Sequence, residues 1–446
     1  MKYSSSSKLF VTFLFLTVFS SIAQAQMAWF GVNGGVDGGT VSVFDTSMGK
    51  LFVAGPLAYA NGNPVGHIVS WDETNWSLLG TGLSAPVNTL AQYKGNVYAG
   101  GLFDSAGGQL THRIAMWNGS SWSSAGSGFK NGNVNALAVY SGLLYAAGTF
   151  DSTGILPASK IAAWDGTSWT SVSNGVSNGD ITAMASYNGN LYVGGTFTTA
   201  GGQPAMGIAQ WNGSTWSALG KGLSASTAVE AMQVWNNKLY ISGYFDSVSG
   251  ISARMIASWD GTNWSAVGGG MNSDVAGLTV FNGQLCAGGS FSAIASTPSS
   301  NLASWDGSHW TDMNSGMDSY ITALGNYKGS LYAGGDFTMA GGVAANGIAR
   351  YGLMTGIDEK SKEAKVQLFP NPNCGRFTIV YESTDPKAEF IMDDVYGKEI
   401  YRTMLQQGIG SPLKLDVNLG ALSKGVYFYT LISSGNRICG KISVAE

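Results

Sequence analysis

The sequence predicts an all-β protein, with a closed circle of seven similar four-stranded units followed by a small antiparallel sandwich. Three observations lead to this fold class. A pair of tryptophans returns every 46 to 48 residues through most of the chain. Glycine, at 64 of 446 residues, is about twice as frequent as usual, which suits a chain with many tight turns. Charged residues become frequent only near the end, with 22 in the last 90 residues against 28 in the preceding 356.

The composition excludes several classes of protein. Hydrophobic residues make up 44% of the chain and tryptophans number 14, so an intrinsically disordered protein is excluded. Only 10 prolines accompany the glycines, which excludes a collagen-like chain. The formal net charge of −4 gives no general attraction for nucleic acid or for an anionic membrane. We therefore expect no nucleic-acid partner.

The N-terminus has the pattern of a secretory signal peptide. Lys2 and Lys8 precede an apolar stretch over residues 9–22, and Ala23-Gln24-Ala25 supplies small residues at the spacing a signal peptidase needs. We predict a signal peptide over residues 1–25 and a mature chain that begins at Gln26. The alternative is a membrane anchor, but the apolar stretch is shorter than the ~20 residues that span a bilayer. We expect an exported protein without a transmembrane segment.

Two anchors define the repeat. One is a pair of tryptophans five residues apart, and the other is a tyrosine followed by glycine in the preceding strand, as in Tyr98-Ala-Gly-Gly. The first tryptophans of the pairs are Trp71, Trp117, Trp164, Trp211, Trp259 and Trp305, and Tyr351 takes the seventh place. Seven units of 46 to 48 residues fall in the range expected of propeller blades.

Each unit has the pattern of four short strands joined by turns of Gly, Asn and Asp. In the turn between Trp164 and Trp169, Gly166 occupies the first central position, which predicts a type II′ turn with the two indoles facing each other. The first unit has Glu73 where the other turns have glycine. We therefore expect a different turn type in that unit.

The seventh unit lacks a partner tryptophan after Tyr351, and a matching segment around Trp29 lies at the other end of the mature chain. We predict that this N-terminal strand completes the last blade and closes a seven-bladed β-propeller over residues 26–352. An open solenoid would instead keep atypical capping repeats at both ends. A glycine doublet that ends one strand and a tryptophan that anchors a later one resemble the kelch and galactose-oxidase-like propellers. The resemblance implies an architecture and leaves the activity open.

Residues 353–365 form a predicted charged linker, and residues 366–446 regain a strand pattern that predicts a small β-sandwich. Several motifs in this last segment occur in the order found in the C-terminal sorting domain of type IX secretion substrates, which the segment resembles. The residues that carry the resemblance include Phe369, Pro370, Asn371, Pro372, Gly375, Gly397, Gly425 and Tyr427.

The resemblance to a sorting domain implies a Gram-negative host and export across its outer membrane. The type IX secretion machinery and its sortase are then the expected partners, and the protein ends up extracellular or attached to the cell surface. Removal of the domain, followed by release or by attachment to lipopolysaccharide, is also implied. An exported location permits a disulfide between Cys374 and Cys439.

The sequence holds no strong catalytic or metal motif. Its three histidines, His67, His112 and His309, fall at non-equivalent positions of different units, so no metal site is predicted. No cofactor is predicted, and no motif indicates calcium. An active site must break the repeat, which makes Glu230, with Asp180 or Asp274, the weak catalytic candidates at one mouth of the channel. A structural or solvated role for these carboxylates is the alternative.

Two features mark candidate ligand contacts. His67, Arg113 and Lys160 occupy one position in three successive units and predict a basic arc, and Trp235 is the tryptophan outside the pairs. Coincidence and blade packing are the alternative readings. We expect a non-catalytic module that binds a glycan or a surface protein. The alternative is a secreted carbohydrate-active enzyme, a hydrolase or lyase, with its site at the channel mouth.

Overall fold

The computed structural model describes residues 27–353, apart from 155, 225–227, 296 and 314–315, and residues 366–445, apart from 382–386, 395–397, 407–412, 421 and 434–435. The predicted signal peptide, nearly all of the predicted linker and Gly397 lie outside these residues. The described residues form strands and turns without a helix, so they contain no helix that could cross a membrane. Met27–Leu353 forms one compact unit, and residues 366–445 belong to a second.

The first unit contains seven four-stranded antiparallel sheets, which we number 1 to 7 in chain order. Each sheet runs from an inner strand through a second and a third to an outer strand. Sheets 1 to 3 consist of Val43–Ser47, Lys50–Ala54, Ile68–Trp71 and Trp76–Leu78; Val87–Tyr93, Asn96–Gly101, Ile114–Trp117 and Trp122–Ser124; and Val134–Tyr140, Leu143–Gly148, Ile161–Trp164 and Trp169–Ser171. Sheets 4 and 5 consist of Ile181–Tyr187, Asn190–Gly195, Ile208–Trp211 and Trp216–Ala218; and Ala228–Trp235, Lys238–Tyr244, Ile256–Trp259 and Trp264–Ala266.

Sheets 6 and 7 follow the same order. They consist of Gly277–Phe281, Gln284–Gly288, Leu302–Trp305 and Trp310–Asp312; and Ile321–Tyr327, Ser330–Gly335, Ile348–Leu353 and Met27–Gly31. The outer strand of sheet 7 therefore comes from the start of the described chain, and Trp29 pairs with Tyr351 as the repeat pattern predicts. Each inner strand contacts the inner strand of the next sheet, and the inner strand of sheet 7 contacts that of sheet 1.

A short hairpin lies between the second and third strands of every sheet. The seven hairpins are Tyr59–Ala60 with Asn63–Pro64, Ser105–Ala106 with Gln109–Leu110, Ser152–Thr153 with Leu156–Pro157, Thr199–Ala200 with Gln203–Pro204, Ser247–Val248 with Ile251–Ser252, Ala293–Ile294 with Thr297–Pro298, and Met339–Ala340 with Val343–Ala344. Three of them gain a third strand, Val36–Asp37, Phe129–Lys130 or Val176–Ser177, from the segment that precedes the inner strand of the same sheet.

The core of the first unit lies between neighbouring sheets. One cluster joins Tyr98 of sheet 2 to Val134, Leu144 and Trp164 of sheet 3, and the other clusters repeat this arrangement. A fully buried phenylalanine follows the second strand in six sheets: Phe103, Phe150, Phe197, Phe245, Phe291 and Phe337. Burying such a side chain contributes about 1.5–3 kcal/mol, so the repeated aromatic positions stabilise every junction between sheets.

The paired tryptophans face each other across the third and outer strands, with ring centroids 5.1 Å apart for Trp164 and Trp169. Gly166 has a φ of 104° and Thr167 does not have a positive φ, which is the type II′ pattern that the sequence predicts. The expectation of a different turn in the first unit is wrong. Glu73 has a φ of 84°, so it adopts the glycine conformation, and its carboxylate lies 2.9 Å from the Lys328 ammonium of sheet 7.

The second unit contains two antiparallel sheets. One consists of Val366–Phe369, Arg376–Tyr381 and Leu413–Asn418, and the other of Glu399–Gln406, Lys387–Asp393, Gly425–Ser433 and Asn436–Val444, each in spatial order. Phe377 and Ile379 of the first sheet share one hydrophobic core with Phe390 and Leu431 of the second. The unit is therefore held together by side chains from both sheets.

Candidate functional site

Polar side chains near the start of four inner strands, those of sheets 2, 3, 4 and 7, connect the sheet to the next one. In most sheets the position is a β-bulge, which turns one side chain out of the regular alternation. Asn88 and Asn135 donate to the main-chain carbonyls of Val134 and Ile181, each over 3.3 Å. Threonines make the same bridge from sheets 4 and 7. The residues at this position are Ser42, Asn88, Asn135, Thr182, Glu230, Ala276 and Thr322.

Glu230 breaks this pattern because an ionised carboxylate cannot donate a hydrogen bond. Its carboxyl instead forms a hydrogen bond with Asp274, which precedes the inner strand of sheet 6. Glu230 is an exposed residue whose carboxyl is only partly buried; this partial burial, followed by the charge of Asp274, raises the pKa of Glu230 to about 7. Burial also raises the pKa of Asp274, although the bond from Glu230 and the Val275 N–H oppose the change. Two facing carboxyls that share one proton explain both directions.

The third predicted carboxylate, Asp180, is not part of this pair. It occupies the position of Asp274 two sheets away, and its carboxylate lies 3.7 Å from the Lys160 ammonium. The Oδ1 atom of Asp274 is buried without a hydrogen-bond partner in the described part of the chain. The structure therefore brings Glu230 and Asp274 together and places Asp180 elsewhere.

The contact between Glu230 and Asp274 limits the chemistry of the pair. Retaining glycosidases hold their two carboxyls about 5–5.5 Å apart, and inverting ones hold them farther apart, because the reacting sugar or a water must fit between them. A direct hydrogen bond is much shorter. Among the described residues, no three acidic, histidine or cysteine side chains converge as a metal site would require. The geometry supports proton sharing between the two carboxyls.

The position of His67, Arg113 and Lys160 is a left-handed turn in all seven sheets. Their φ values are 67°, 70° and 72°, and the equivalent Met255 and Asn301 have 71° and 67°. At this position the main-chain N–H donates to the carbonyl of the buried residue after the second strand, over 2.8–3.2 Å in these three cases. The repeated position is therefore explained by the backbone.

The three side chains do not form the predicted basic arc. Burial lowers the pKa of His67, which keeps its imidazole neutral at pH 7. Arg113 donates to the Leu102 carbonyl and lies 3.5 Å from the Asp104 carboxylate. Lys160 donates to the Thr149 carbonyl over 2.8 Å and lies 2.9 Å from Asp151. The cations are thus already paired near their own turns, and the imidazole is uncharged.

Trp235 also has a structural contact at a repeated position. Its Nε1 donates to the Gly283 carbonyl of the next sheet over 2.9 Å. Tyrosines at the same position make the same bridge with their hydroxyls: Tyr93 to Gly142, Tyr140 to Gly189, Tyr187 to Asn237 and Tyr327 to Gly49, over 2.7–3.0 Å. Trp235 is therefore a connection between sheets 5 and 6, and this contact does not indicate a ligand.

A cleft of about 730 Å³ lies between the sheet 2 and sheet 3 regions. We call it the 2–3 cleft. It combines the two paired tryptophans of sheet 3 with hydroxyl, aliphatic and basic side chains. Its lining residues are Leu110, His112, Ser124, Gly126, Ser127, Lys130, Thr153, Gly154, Leu156, Trp164, Thr167, Ser168 and Trp169.

The sequence prediction missed Lys130, although the repeat contains a signal for it. The same position holds small polar or acidic residues in the other units: Asp37, Ser84, Ser177, Ser224, Asn272 and Asp318. Ser84, Asn272 and Asp318 accept hydrogen bonds from two N–H groups of the neighbouring hairpin, over 2.9–3.2 Å. A lysine ammonium cannot accept such bonds.

The motif residues of the second unit tie its segments together. Asn371 accepts from the Ser443 N–H over 2.8 Å and donates to the Lys441 carbonyl over 3.2 Å, so it covers the edge of the last strand. Gly375 has a φ of 84°, and a Cβ there would lie 2.4 Å from the Gly420 carbonyl oxygen. The Tyr427 hydroxyl donates to the Ser423 carbonyl over 2.9 Å. Phe369 is 48% exposed, and Gly425 begins a strand.

The disulfide that the sequence permits between Cys374 and Cys439 is not formed in the described structure, where Cys374 is an exposed free thiol. The preceding residue, Asn373, forms a parallel bridge with Val444. Cys439 lies five residues before Val444 on that strand, roughly 16 Å away at ~3.3 Å per residue. A disulfide needs Cα atoms within ~7 Å, so the strand register explains why the two cysteines do not meet.

Two family models match separate parts of the chain, one within each structural unit. Residues 127–285 match the Rax2 C-terminal beta propeller domain, and residues 367–445 match the secretion system C-terminal sorting domain. The protein thus combines a β-propeller domain with a type IX sorting tail. The tail marks it as a protein that the type IX machinery exports across the outer membrane to the cell surface or the extracellular space.

The other comparisons are distant. No curated protein matches the chain. The structure of PorZ, a surface component of the type-IX secretion system of Porphyromonas gingivalis, is 16% identical with a TM-score of 0.43. That match covers 91% of this chain and 59% of the PorZ chain, so this chain spans less than two thirds of PorZ. A copper-containing fungal alcohol oxidase of the AA5 family is 12% identical with a TM-score of 0.39, covering 95% of this chain and 100% of its own.

Proposed function

We propose that the exported protein is a non-catalytic binding module that recognises a glycan at the cell surface, with a surface protein as the other ligand class. The observation that carries the proposal is the 2–3 cleft. Ligand sites are concave and combine apolar walls with a few polar groups, and this cleft offers indole edges, leucines, hydroxyls and one lysine. A saccharide presents the complementary surface, with apolar ring faces and many hydroxyl groups.

We propose that the seven sheets are the blades of one kelch-like propeller over residues 26–352, closed by its N-terminal strand, and that residues 366–446 form a β-sandwich joined by the charged linker. The cyclic contacts of the inner strands and the pairing of Trp29 with Tyr351 support the ring. A signal peptide removed after Ala25 and removal of the tail by the sortase complete the proposed export route.

Binding of the chain from Gln26 to Glu446 to an array of glycans and polysaccharides, with and without calcium, tests the proposed function. Discrete and saturable binding is the expected result. If no glycan on the array binds but a surface protein of the bacterium that exports the chain does, the ligand is a protein instead. Binding of neither class would overturn the proposal.

The alternative function, a secreted carbohydrate-active hydrolase or lyase, rests on the Glu230–Asp274 pair. A carboxyl with a pKa near 7 suits general acid–base work at neutral pH. The same array decides between the two functions when the bound polymers are sized afterwards. Polymers that are shortened by the protein, and left intact by Glu230→Gln, would favour the enzyme over the binding module.

A further inference from the structure

We infer that the 2–3 cleft recognises an anionic saccharide, with the Lys130 ammonium as the partner of its carboxylate or sulfate. This inference rests on the proposed glycan-binding function and names the ligand class and the contact. Lys130 belongs to the short strand Phe129–Lys130, which pairs with Ser152–Thr153 of the hairpin. Phe129 is 1% exposed, so the alternation of the strand turns Lys130 outward to the cleft.

No structural role in the repeat explains why the side chain of Lys130 is positively charged. Its position serves elsewhere to accept hydrogen bonds from the neighbouring hairpin, as Ser84 does from the Asp104 and Ser105 N–H groups. No described carboxylate forms an ion pair with Lys130. Arg113 and Lys160 of the predicted basic arc differ in this respect, since each forms an ion pair with an aspartate. Lys130 therefore keeps a charge that is available to a ligand.

Two acids that lie within two residues of lining residues in the sequence, Asp165 and Asp151, already have partners. The Asp165 carboxylate accepts the N–H groups of Thr167 and Ser168 and their hydroxyls within the turn. Asp151 pairs with Lys160. The lining residues themselves include no acid, in a chain whose net charge is −4. Within the lining, the charge of Lys130 is therefore not offset by an acid, and this favours an anionic ligand group beside its ammonium.

The remaining surface of the cleft suits a sugar ring. Gly126 has no side chain between the cleft and the tryptophans: a Cβ there would lie 2.8 Å from Trp164 Cζ3 and 3.2 Å from Trp169 Cδ1. Leu110 and Leu156 are 70% and 47% exposed on the outgoing strands of their short hairpins. Trp164 and Trp169 are each 4% exposed, so they offer only ring edges, and the two leucines supply most of the exposed apolar surface. This apolar surface beside hydroxyl groups allows a saccharide to bury part of its ring face while its charged group contacts Lys130.

Titration calorimetry of the chain from Gln26 to Glu446 tests the inference with two matched pairs of probes. One pair is oligogalacturonate and its methyl ester, and the other is dextran sulfate and unmodified dextran. The variants are Lys130→Ser, which installs the residue that Ser84 and Ser177 provide in other units, and Lys130→Arg, which keeps the charge. Lys221→Ser removes an exposed lysine that does not line the cleft and serves as the control.

We expect saturable binding of one charged probe, loss of binding to its neutral partner, and at least a tenfold weakening in Lys130→Ser, the size of one charge-assisted hydrogen bond. Lys130→Arg and Lys221→Ser retain binding, and added salt weakens it. The charged member that binds identifies carboxylate or sulfate as the recognised group. Equal binding of charged and neutral probes, or binding unchanged in Lys130→Ser, overturns the inference and leaves the glycan-binding function standing. Absence of binding to every probe and to the glycan array overturns both.

Discussion

The junction between sheets 4 and 5 and the junction between sheets 5 and 6 are built on the same position of the repeat, yet their chemistry differs. At the first, the Thr182 hydroxyl donates to the Val229 carbonyl. At the second, the Glu230 carboxyl meets the carboxyl of Asp274, and burial raises the pKa of both. The threonine junction needs no proton from solvent, whereas the carboxyl junction is favourable only while one of its groups is protonated.

Lys130 shows a second departure of the same kind, outside the circle of inner strands. Ser84 and Asn272 hold a neighbouring hairpin through two hydrogen bonds each, and Lys130 at the same position faces the 2–3 cleft instead. Residues that match the other units at their position therefore stabilise the fold. Residues that differ from the other units are available for another role, such as proton sharing or ligand binding. Four substitutions test this division, in order of expected effect.

Phe150→Ala removes a side chain that follows the repeat beside the cleft. Phe150 is fully buried and stacks on Phe129 with ring centroids 4.1 Å apart. The cavity should lower the free energy of unfolding by about 3–5 kcal/mol. Denaturant unfolding followed by tryptophan fluorescence measures this, because all 14 tryptophans lie between residues 29 and 310. A loss below about 1 kcal/mol would contradict the role assigned to the repeated phenylalanines.

Thr322→Val tests the polar bridge that joins sheet 7 to sheet 1. The Thr322 hydroxyl donates to the Val41 carbonyl over 2.5 Å, and valine has the same shape without the donor. We expect a loss of about 1–3 kcal/mol in the free energy of unfolding, because the carbonyl loses its partner. The exposed Thr311→Val should change it by less than about 0.5 kcal/mol. Equal effects of the two substitutions would show that the bridge does not matter.

Glu230→Gln tests the carboxyl junction through pH. The pKa of Glu230 rises from 4.5 to about 7 on folding, so the folded protein holds a proton that the unfolded chain has released. Stability should therefore fall as pH rises from about 4.5 to about 7. Glu230→Gln should remove most of this slope and, because its amide donates to Asp274, add on the order of 1 kcal/mol at pH 8.

Unfolding midpoints at pH 5, 6, 7 and 8 measure the slope for the natural chain and for Glu230→Gln. Asp246→Asn, at an exposed loop acid, is the control and should keep the slope of the natural chain. An unchanged slope in Glu230→Gln would mean that the two carboxyls do not share a proton.

Lys160→Gln should have the smallest effect. The Lys160–Asp151 ion pair lies at the surface, and such pairs contribute about 0–1 kcal/mol. Because Lys160 is already paired, its loss should also leave saccharide affinity unchanged in calorimetry. A large loss of affinity would restore the basic arc as a ligand site.

The repeat made most of the fold predictable, because tryptophan spacing and turn glycines report the backbone directly. The pairing of Trp29 with Tyr351 followed from the missing strand of the last unit. The turn type in the first unit was predicted wrongly because Glu73 adopts a positive φ that usually requires glycine. Glu73 forms an ion pair with Lys328 there, and the sequence pattern does not show a contact between residues 255 positions apart. Contacts between sheets are likewise absent from the sequence pattern, so the roles of Arg113, Lys160 and Trp235 required the structure.

The candidate site was predictable only in part. Glu230 and Asp274 stood out because they interrupt a repeat, and the structure brings them together. Lys130 also interrupts a repeat, but the sequence does not show that its equivalents accept hydrogen bonds from a neighbouring hairpin. A residue that differs from its equivalents in the other units indicates a site only when the structural role of those equivalents is known.

Zero-length crosslinking tests the central claim most directly. Oligogalacturonate activated with a carbodiimide at its carboxylates forms an amide with an amine that contacts the bound ligand, and peptide mapping by mass spectrometry locates it. We expect the crosslink to form at Lys130, to be suppressed by excess free oligogalacturonate, and to be absent from Lys130→Ser. Crosslinks spread over exposed lysines such as Lys94 and Lys221, without preference for Lys130, would contradict it.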